Sequence, residues 1–208
     1  MLLEATGWAT VGAIVQALGT IPSLYAAQKD PKNRLYYGVL AAITGIAAVA
    51  YTFTALEIGT IPIGDARFYT SRYVDWLLTT PLLILYLTLL CRPGQRMYAL
   101  LIGLDVALIV LGIAGIFAQG TVVTLFLFGM GCLAWVVLAY LLISELPSRS
   151  TFASERVGIV FGKLRNVTVV LWTLYPVVWL AAPVGFGLMT PSTEMLVIVY
   201  LDIITKVG

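Results

Sequence analysis

Apolar residues gather in long runs rather than alternating: stretches at about 6–27, 35–57, 72–91, 97–118, 122–144, 164–183 and 192–208 each hold close to twenty residues with few charges. A hydrocarbon layer about 30 Å thick is crossed by about 20 residues of helix, so the pattern predicts an all-α bundle of seven transmembrane helices. The connections KDPKNR, IPIGDARFYTS, RPGQ, AQG, ELPSRST and APVGFG are short and rich in turn residues. They leave no room for a separate soluble domain, and 1–208 reads as one domain.

Composition agrees with that medium. The chain is 61% hydrophobic and 11% charged with a mean hydropathy of +1.00, well above the roughly 45–50% apolar content of soluble domains. Basic residues mark the cytoplasmic side. Lys29, Lys32, Arg34, Arg92, Arg96, Arg149, Arg156, Lys163 and Arg165 lie in or beside alternate connections, and only Arg67 and Arg72 lie on the other side. The N-terminus is therefore expected outside, with the seventh helix running inward through the cell membrane. The first helix has no basic leader and no small-residue cleavage site, so it reads as a retained span. A net charge of +2 gives no reason to expect a nucleic-acid partner, and the lack of any histidine excludes a His-based metal site or catalytic triad. No glycine-rich phosphate loop and no internal repeat are found. Cys91 and Cys132 read as small apolar side chains without a disulfide.

Lys206 does not fit the loop pattern, because it follows the apolar run MLVIVYLDIIT. Ionisable residues inside spans are costly, usually face the bundle interior and usually have a partner. A lysine snorkelling from a helix end is the plain alternative. Asp202, four residues earlier, places a carboxylate on the same helix face and argues against it. In the third span, Arg72, Asp75, Trp76 and Thr79 fall at i, i+3, i+4 and i+7 on one stripe. Asp75 is thus expected to face Lys206, with Arg72 balancing the two acids in a cluster of two positive and two negative charges. Tyr51, Tyr175, Thr79 and Thr205 are candidate hydrogen-bond donors to it. A structural salt-bridge network inside a transporter has the same spacing.

The sixth span, VTVVLWTLYPVVWL, sets Trp172, Tyr175 and Trp179 on one face, interrupted by Pro176. Aromatic stripes are often plain packing. Beside a buried lysine and Trp76, the rings suit a long conjugated aldehyde bound to the amine as a Schiff base.

The segments RYVDWLLTTPLL, LWTLYPVVWL and YLDIITK resemble the third, sixth and seventh helices of the haloarchaeal retinal proteins, and the resemblance extends over essentially all of the chain. It implies that Lys206 carries all-trans-retinal as a protonated Schiff base, that Asp75 is counterion and proton acceptor, and that Asp202 and Arg72 complete the counterion complex. It assigns the retinal pocket to Tyr51, Trp76, Thr79, Thr80, Leu83, Gly112, Phe128, Gly131, Cys132, Trp172, Tyr175 and Trp179.

Pumps, channels and sensors share this scaffold. By resemblance, the position eleven residues after Asp75 holds the cytoplasmic proton donor of the pumps; here it is Tyr86, about 16 Å along the helix. A phenol with a pKa near 10 is a poor donor at neutral pH, so reprotonation is expected to be slow. Other positions resemble sensory rhodopsin II. Tyr175 and Thr205 match its signalling pair, Thr190 and Tyr200 its transducer contacts, and Gly131 and Cys132 its small residues near the retinal ring, which imply blue to blue-green absorption.

Some positions do not discriminate. Asp105 occurs in pumps and in some sensors, while Glu194 matches one proton-release carboxylate of the pumps and Val184 stands at the other. Asp75 excludes the chloride-pump pattern. From Glu194 to Lys206 is about 18 Å of helix, which places the lysine mid-membrane, leaves Gly208 inside the bilayer and predicts that the last helix continues beyond it. The expected function is a non-enzymatic photoreceptor that signals through a methyl-accepting membrane transducer, with a homo-oligomer also compatible. The competing readings are an outward proton pump, a pump/sensor intermediate, or a seven-span transporter or receptor without retinal.

Overall fold

In the computed structural model, residues 3–63 and 66–207 are described. The expected end of the chain at Gly208 within the bilayer therefore lies outside the described residues. Helix α1 spans Ala5–Lys29 and stops where Asp30 precedes Pro31. A single 3₁₀ turn, Pro31–Asn33, reverses the chain, and the Asn33 amide donates to Asp30 Oδ2 at 2.7 Å. That bond, with the backbone amides of the same turn, holds the Asp30 carboxyl below its usual range. Helix α2 follows over Arg34–Ala55.

The next connection is more ordered than its turn residues suggest. After Glu57 and Gly59, both with positive φ (55° and 73°), strands β1 (Thr60–Ile63) and β2 (Ala66–Tyr69) pair antiparallel. Proline is tolerated at position 62 because a two-stranded ribbon consists of edges. Strands of four residues are too short for alternation to stand out among apolar spans, so sequence pattern read this segment as a plain connection.

Helix α3 spans Thr70–Cys91, α4 Gln95–Phe117 and α5 Thr121–Tyr140. Beyond α5 the helix does not stop near 144 as expected: a π-helical stretch, Leu141–Glu145, leads into the short α6, Leu146–Ser148. The sixth span begins earlier than the expected 164, with α7 at Glu155–Trp172, because Ser154 caps it by accepting the Val157 amide hydrogen at 3.3 Å. Hydropathy discards this first part because it carries Glu155, Arg156 and Lys163, yet a cap and a charged first turn are what start a helix. Helix α7 ends at Trp172 and α8 covers Leu174–Ala181. Proline has no N–H to give to the helical ladder, and Pro176 lies just beyond the break between α7 and α8. Helix α9 spans Pro191–Lys206, with Thr190 accepting the Thr193 amide hydrogen at 3.2 Å and proline in the first turn.

The chain forms two compact units. The first, residues 1–79 and 174–208, contains α1, α2, the hairpin, the start of α3, α8 and α9. Its core joins Ala9, Tyr51, Tyr69, Met195 and Val199, with Trp8 packed against them. The second, residues 80–173, buries Leu101, Leu138, Leu142, Leu146 and Phe161, and Trp135 meets Trp172 with ring centroids 5.9 Å apart. Large apolar side chains stay exposed, including Ile14, Leu18 and Ile21 along one stripe of α1. Such a surface is ordinary where the solvent is lipid. Among the described residues, six helical segments are long and apolar enough to cross a membrane, and α9 adds a seventh helix of 16 residues.

Candidate functional site

The first unit concentrates its buried charge at the end of α9. Lys206 is 7% exposed and its Nζ donates to Asp75 Oδ2 at 2.5 Å and to Asp202 Oδ2 at 3.1 Å. The Asp202 contact follows from i,i+4 spacing on α9, and Asp75 comes from the first turns of α3.

The two carboxylates are held differently. Asp202 accepts from the Tyr51 hydroxyl at 2.9 Å, the Tyr175 hydroxyl at 2.5 Å and, weakly, Trp76 Nε1 at 3.4 Å, besides the ammonium. Asp75 accepts from the ammonium on Oδ2 with the Thr79 side chain beside it, and its Oδ1 is buried without a partner among the described residues. The Thr79 hydroxyl donates to the Asp75 backbone carbonyl at 2.8 Å, turning its side chain back onto its own helix.

Arg72 does not join this cluster. Its Nη2 donates to Glu194 Oε1 at 2.9 Å, in the first turn of α9, and its guanidinium carbon stands 5.4–5.8 Å from the ring centres of Tyr69, Tyr73 and Trp76. The expected four-charge cluster is thus two groups: Lys206 with Asp75 and Asp202, and Arg72 with Glu194. The reason is reach. Glu194 lies eight residues before Asp202 on α9, about 12 Å nearer the end where α3 begins, and meets Arg72 there.

Aromatic side chains surround these groups. Trp76 meets Tyr175 edge-on, with centroids 5.4 Å apart and planes at 90°, and Tyr73 at 5.3 Å. Tyr175 donates its hydroxyl hydrogen bond to Asp202 and stands next to the Thr205 hydroxyl, which itself donates to the Leu201 carbonyl at 2.9 Å. Trp179 is half-buried. Thr190 and Tyr200 are exposed, the latter 62%.

The second unit has its own polar pair, with Thr80 Oγ1 donating to the fully buried Asp105 at 2.8 Å. Leu83, Tyr86, Phe128 and Cys132 are half-buried there. A Cβ at Gly131 would sit 3.5 Å from the Leu108 carbonyl oxygen, whereas one at Gly112 would meet open space. Cys91 and Cys132 are free thiols.

Sequence reasoning missed Gln16, which is fully buried in α1 and donates from Nε2 to the Asp202 backbone carbonyl at 3.2 Å. The signal was present as a lone carboxamide within an apolar span. It also missed Tyr69 and Tyr73 around Arg72, since rings in a connection and at a helix start carry no periodic mark.

The buried ammonium, its two carboxylates and the adjoining rings fit an aldehyde chromophore, because a desolvated lysine is the amine such chemistry uses. Known proteins agree. The family model described as bacteriorhodopsin-like protein matches residues 4–208. The sensory rhodopsin-2 of Halobacterium salinarum is 46% identical over 206 residues, covering 99% of this chain and 86% of that protein. The sensory rhodopsin-2 of Natronomonas pharaonis is 38% identical over 199 residues, covering 95% and 83%. Among solved structures, the thermophilic rhodopsin of Rubrobacter xylanophilus superposes with a TM-score of 0.93 at 35% identity, covering 98% of this chain and 92% of that one.

Proposed function

Because this chain belongs to the bacteriorhodopsin-like family and is a multi-pass membrane protein with the seven-helix rhodopsin fold, we propose that it is a retinal photoreceptor of the sensory type. The observation that carries the reading is the buried Lys206 ammonium shared by Asp75 and Asp202. Lys206 is the attachment point, all-trans-retinal is the chromophore, and Tyr51, Trp76, Thr79, Tyr175 and Trp179 are its neighbours in the first unit. Retinal supplies a light-driven double-bond isomerisation.

The chain's own residues do the rest. Lys206 Nζ, which carries the proton, lies 2.5 Å from Asp75 Oδ2, the shorter of its two contacts. Asp75 Oδ1 has no partner among the described residues, whereas protonating Asp202 would displace donated bonds from Tyr51 or Tyr175. Asp75 is therefore the acceptor and Asp202 the resident anion. Tyr86 stands where a cytoplasmic carboxylate would return the proton, and a phenol is a poor donor at neutral pH, so the return is slow. A slow return suits a persistent signal better than rapid pumping. The basic connections support an N-terminus outside, and the exposed Thr190, which caps α9, and Tyr200 on α9 are the proposed contacts with a membrane transducer.

Flash photolysis of the pigment, with and without azide as a mobile proton donor, tests this. Recovery over hundreds of milliseconds or longer, accelerated by azide, is expected. Recovery within a few milliseconds, unchanged by azide, would reveal an internal donor and assign the protein to the pumps.

A further inference from the structure

Gln16 lies outside the charge cluster but touches the turn that carries it. Its Nε2 donates to the Asp202 backbone carbonyl at 3.2 Å, while its Oε1 is buried without a partner among the described residues. The Asp202 carbonyl is also the i−4 acceptor for the Lys206 amide in the helical ladder, and the Thr205 hydroxyl approaches it at 3.3 Å. One carbonyl therefore anchors the turn that bears both Asp202 and Lys206, and α1 holds it from the side. Behind Gln16, Thr20 Oγ1 lies 2.9 Å from both the Gln16 carbonyl oxygen and Thr44 Oγ1, so the polar contact continues from α1 into α2.

A carboxamide is a poor choice for filling this space. Methionine or leucine would occupy a similar volume without burying an acceptor that finds no donor. The arrangement is accounted for by the donor end.

Taking Lys206 as the chromophore's amine, as proposed above, we propose that Gln16 is a positioning residue that fixes the last turn of α9 against α1 and so sets where Lys206 Nζ stands between Asp75 and Asp202. It acts through the backbone and touches neither carboxylate.

Hydrogen–deuterium exchange on the whole chain in lipid nanodiscs tests this without depending on the pigment. Gln16→Met removes the donor at nearly constant volume, and Gln16→Glu, as the neutral acid, keeps a proton to donate. The expected result is exchange of the segment ending at Val207 about five- to tenfold faster in Gln16→Met, the factor that loss of one buried hydrogen bond gives, with Gln16→Glu near wild type. Thr20→Val, which cuts the contact to Thr44 but not the bond to Asp202, should leave that segment unchanged. With retinal added, the absorption maximum should move in Gln16→Met and stay in Thr20→Val. Wild-type exchange in Gln16→Met overturns the proposal, as does equal acceleration in Thr20→Val, which would mean a general loosening of α1. Failure of the wild type to form a pigment would overturn the role given to Lys206 and leave the exchange comparison readable.

Discussion

Lys206 Nζ lies 2.5 Å from Asp75 Oδ2 and 3.1 Å from Asp202 Oδ2, so one buried ammonium is shared by carboxylates on two helices with very different surroundings. Asp75→Asn removes an acid that pairs with the ammonium, whereas Asp202→Asn puts an amide where two tyrosine hydroxyls and an ammonium all donate. Both changes take one carboxylate from the buried ammonium, and Asp202→Asn also disturbs the bonds from two tyrosine hydroxyls, so we expect it to be the more destabilising by about 1–3 kcal/mol. Asp75→Asn should still form pigment but absorb at longer wavelength and show no light-driven proton transfer. Thermal melts and absorption spectra of the two variants check this; equal losses of stability would contradict the asymmetry.

The Arg72–Glu194 pair makes a separate claim. Arg72 is 7% exposed, and Glu194 is its one carboxylate partner among the described residues. Glu194→Ala leaves the guanidinium buried without it, at a cost of about 1–3 kcal/mol, which lowers the melting midpoint by several degrees in a chain of this size. Glu194→Gln keeps an acceptor and should lose less than half as much. If the cation belonged to the Lys206 cluster, neither change would matter to stability, and Asp202→Asn would instead free Arg72.

The sequence announced the parts of this site that lie close together along one helix. Asp202 and Lys206 are four residues apart, and helical geometry alone brings them onto one face. Pro176 likewise announced the break between α7 and α8. What stayed hidden depends on approach between distant segments. Glu194 meets Arg72 only because α9 and the start of α3 come together, and nothing local in either segment marks that pairing. The early start of α7 was hidden for another reason: hydropathy weighs the charges of its first turns against a span, although the cap at Ser154 signals a helix there. Gln16 was visible as a lone polar residue, but its partner is a backbone carbonyl, a group that every residue carries and no pattern distinguishes.

Gly12 supports Tyr51 from α1. A Cβ there would come 3.0–3.2 Å from three ring atoms of Tyr51, whose hydroxyl holds Asp202 at 2.9 Å. In Gly12→Ala, helix propensity gains about 1 kcal/mol while crowding costs about 1–3 kcal/mol, so the net loss is small. The effect should appear in the spectrum, because a displaced ring loosens the bond to Asp202. A shifted absorption maximum with a nearly unchanged melting midpoint is expected; a wild-type spectrum would mean that the ring moves without disturbing Asp202.

Tyr86 is the residue on which the sensor reading depends. It lies eleven residues after Asp75 on α3, about 16 Å along the helix, and is half-buried. A carboxylic acid at that position, once protonated, releases its proton far more readily at neutral pH than a phenol with a pKa near 10. Tyr86→Asp should therefore speed recovery of the dark state by at least about tenfold, since about 1.4 kcal/mol of barrier is enough for that and the difference in donor acidity is larger. The same variant should lose most of its response to azide, because an internal donor makes a mobile one redundant. Tyr86→Phe removes the hydroxyl and should recover as slowly as wild type. If Tyr86→Phe is markedly slower, the phenol is itself the donor, and its low acidity sets the slow return.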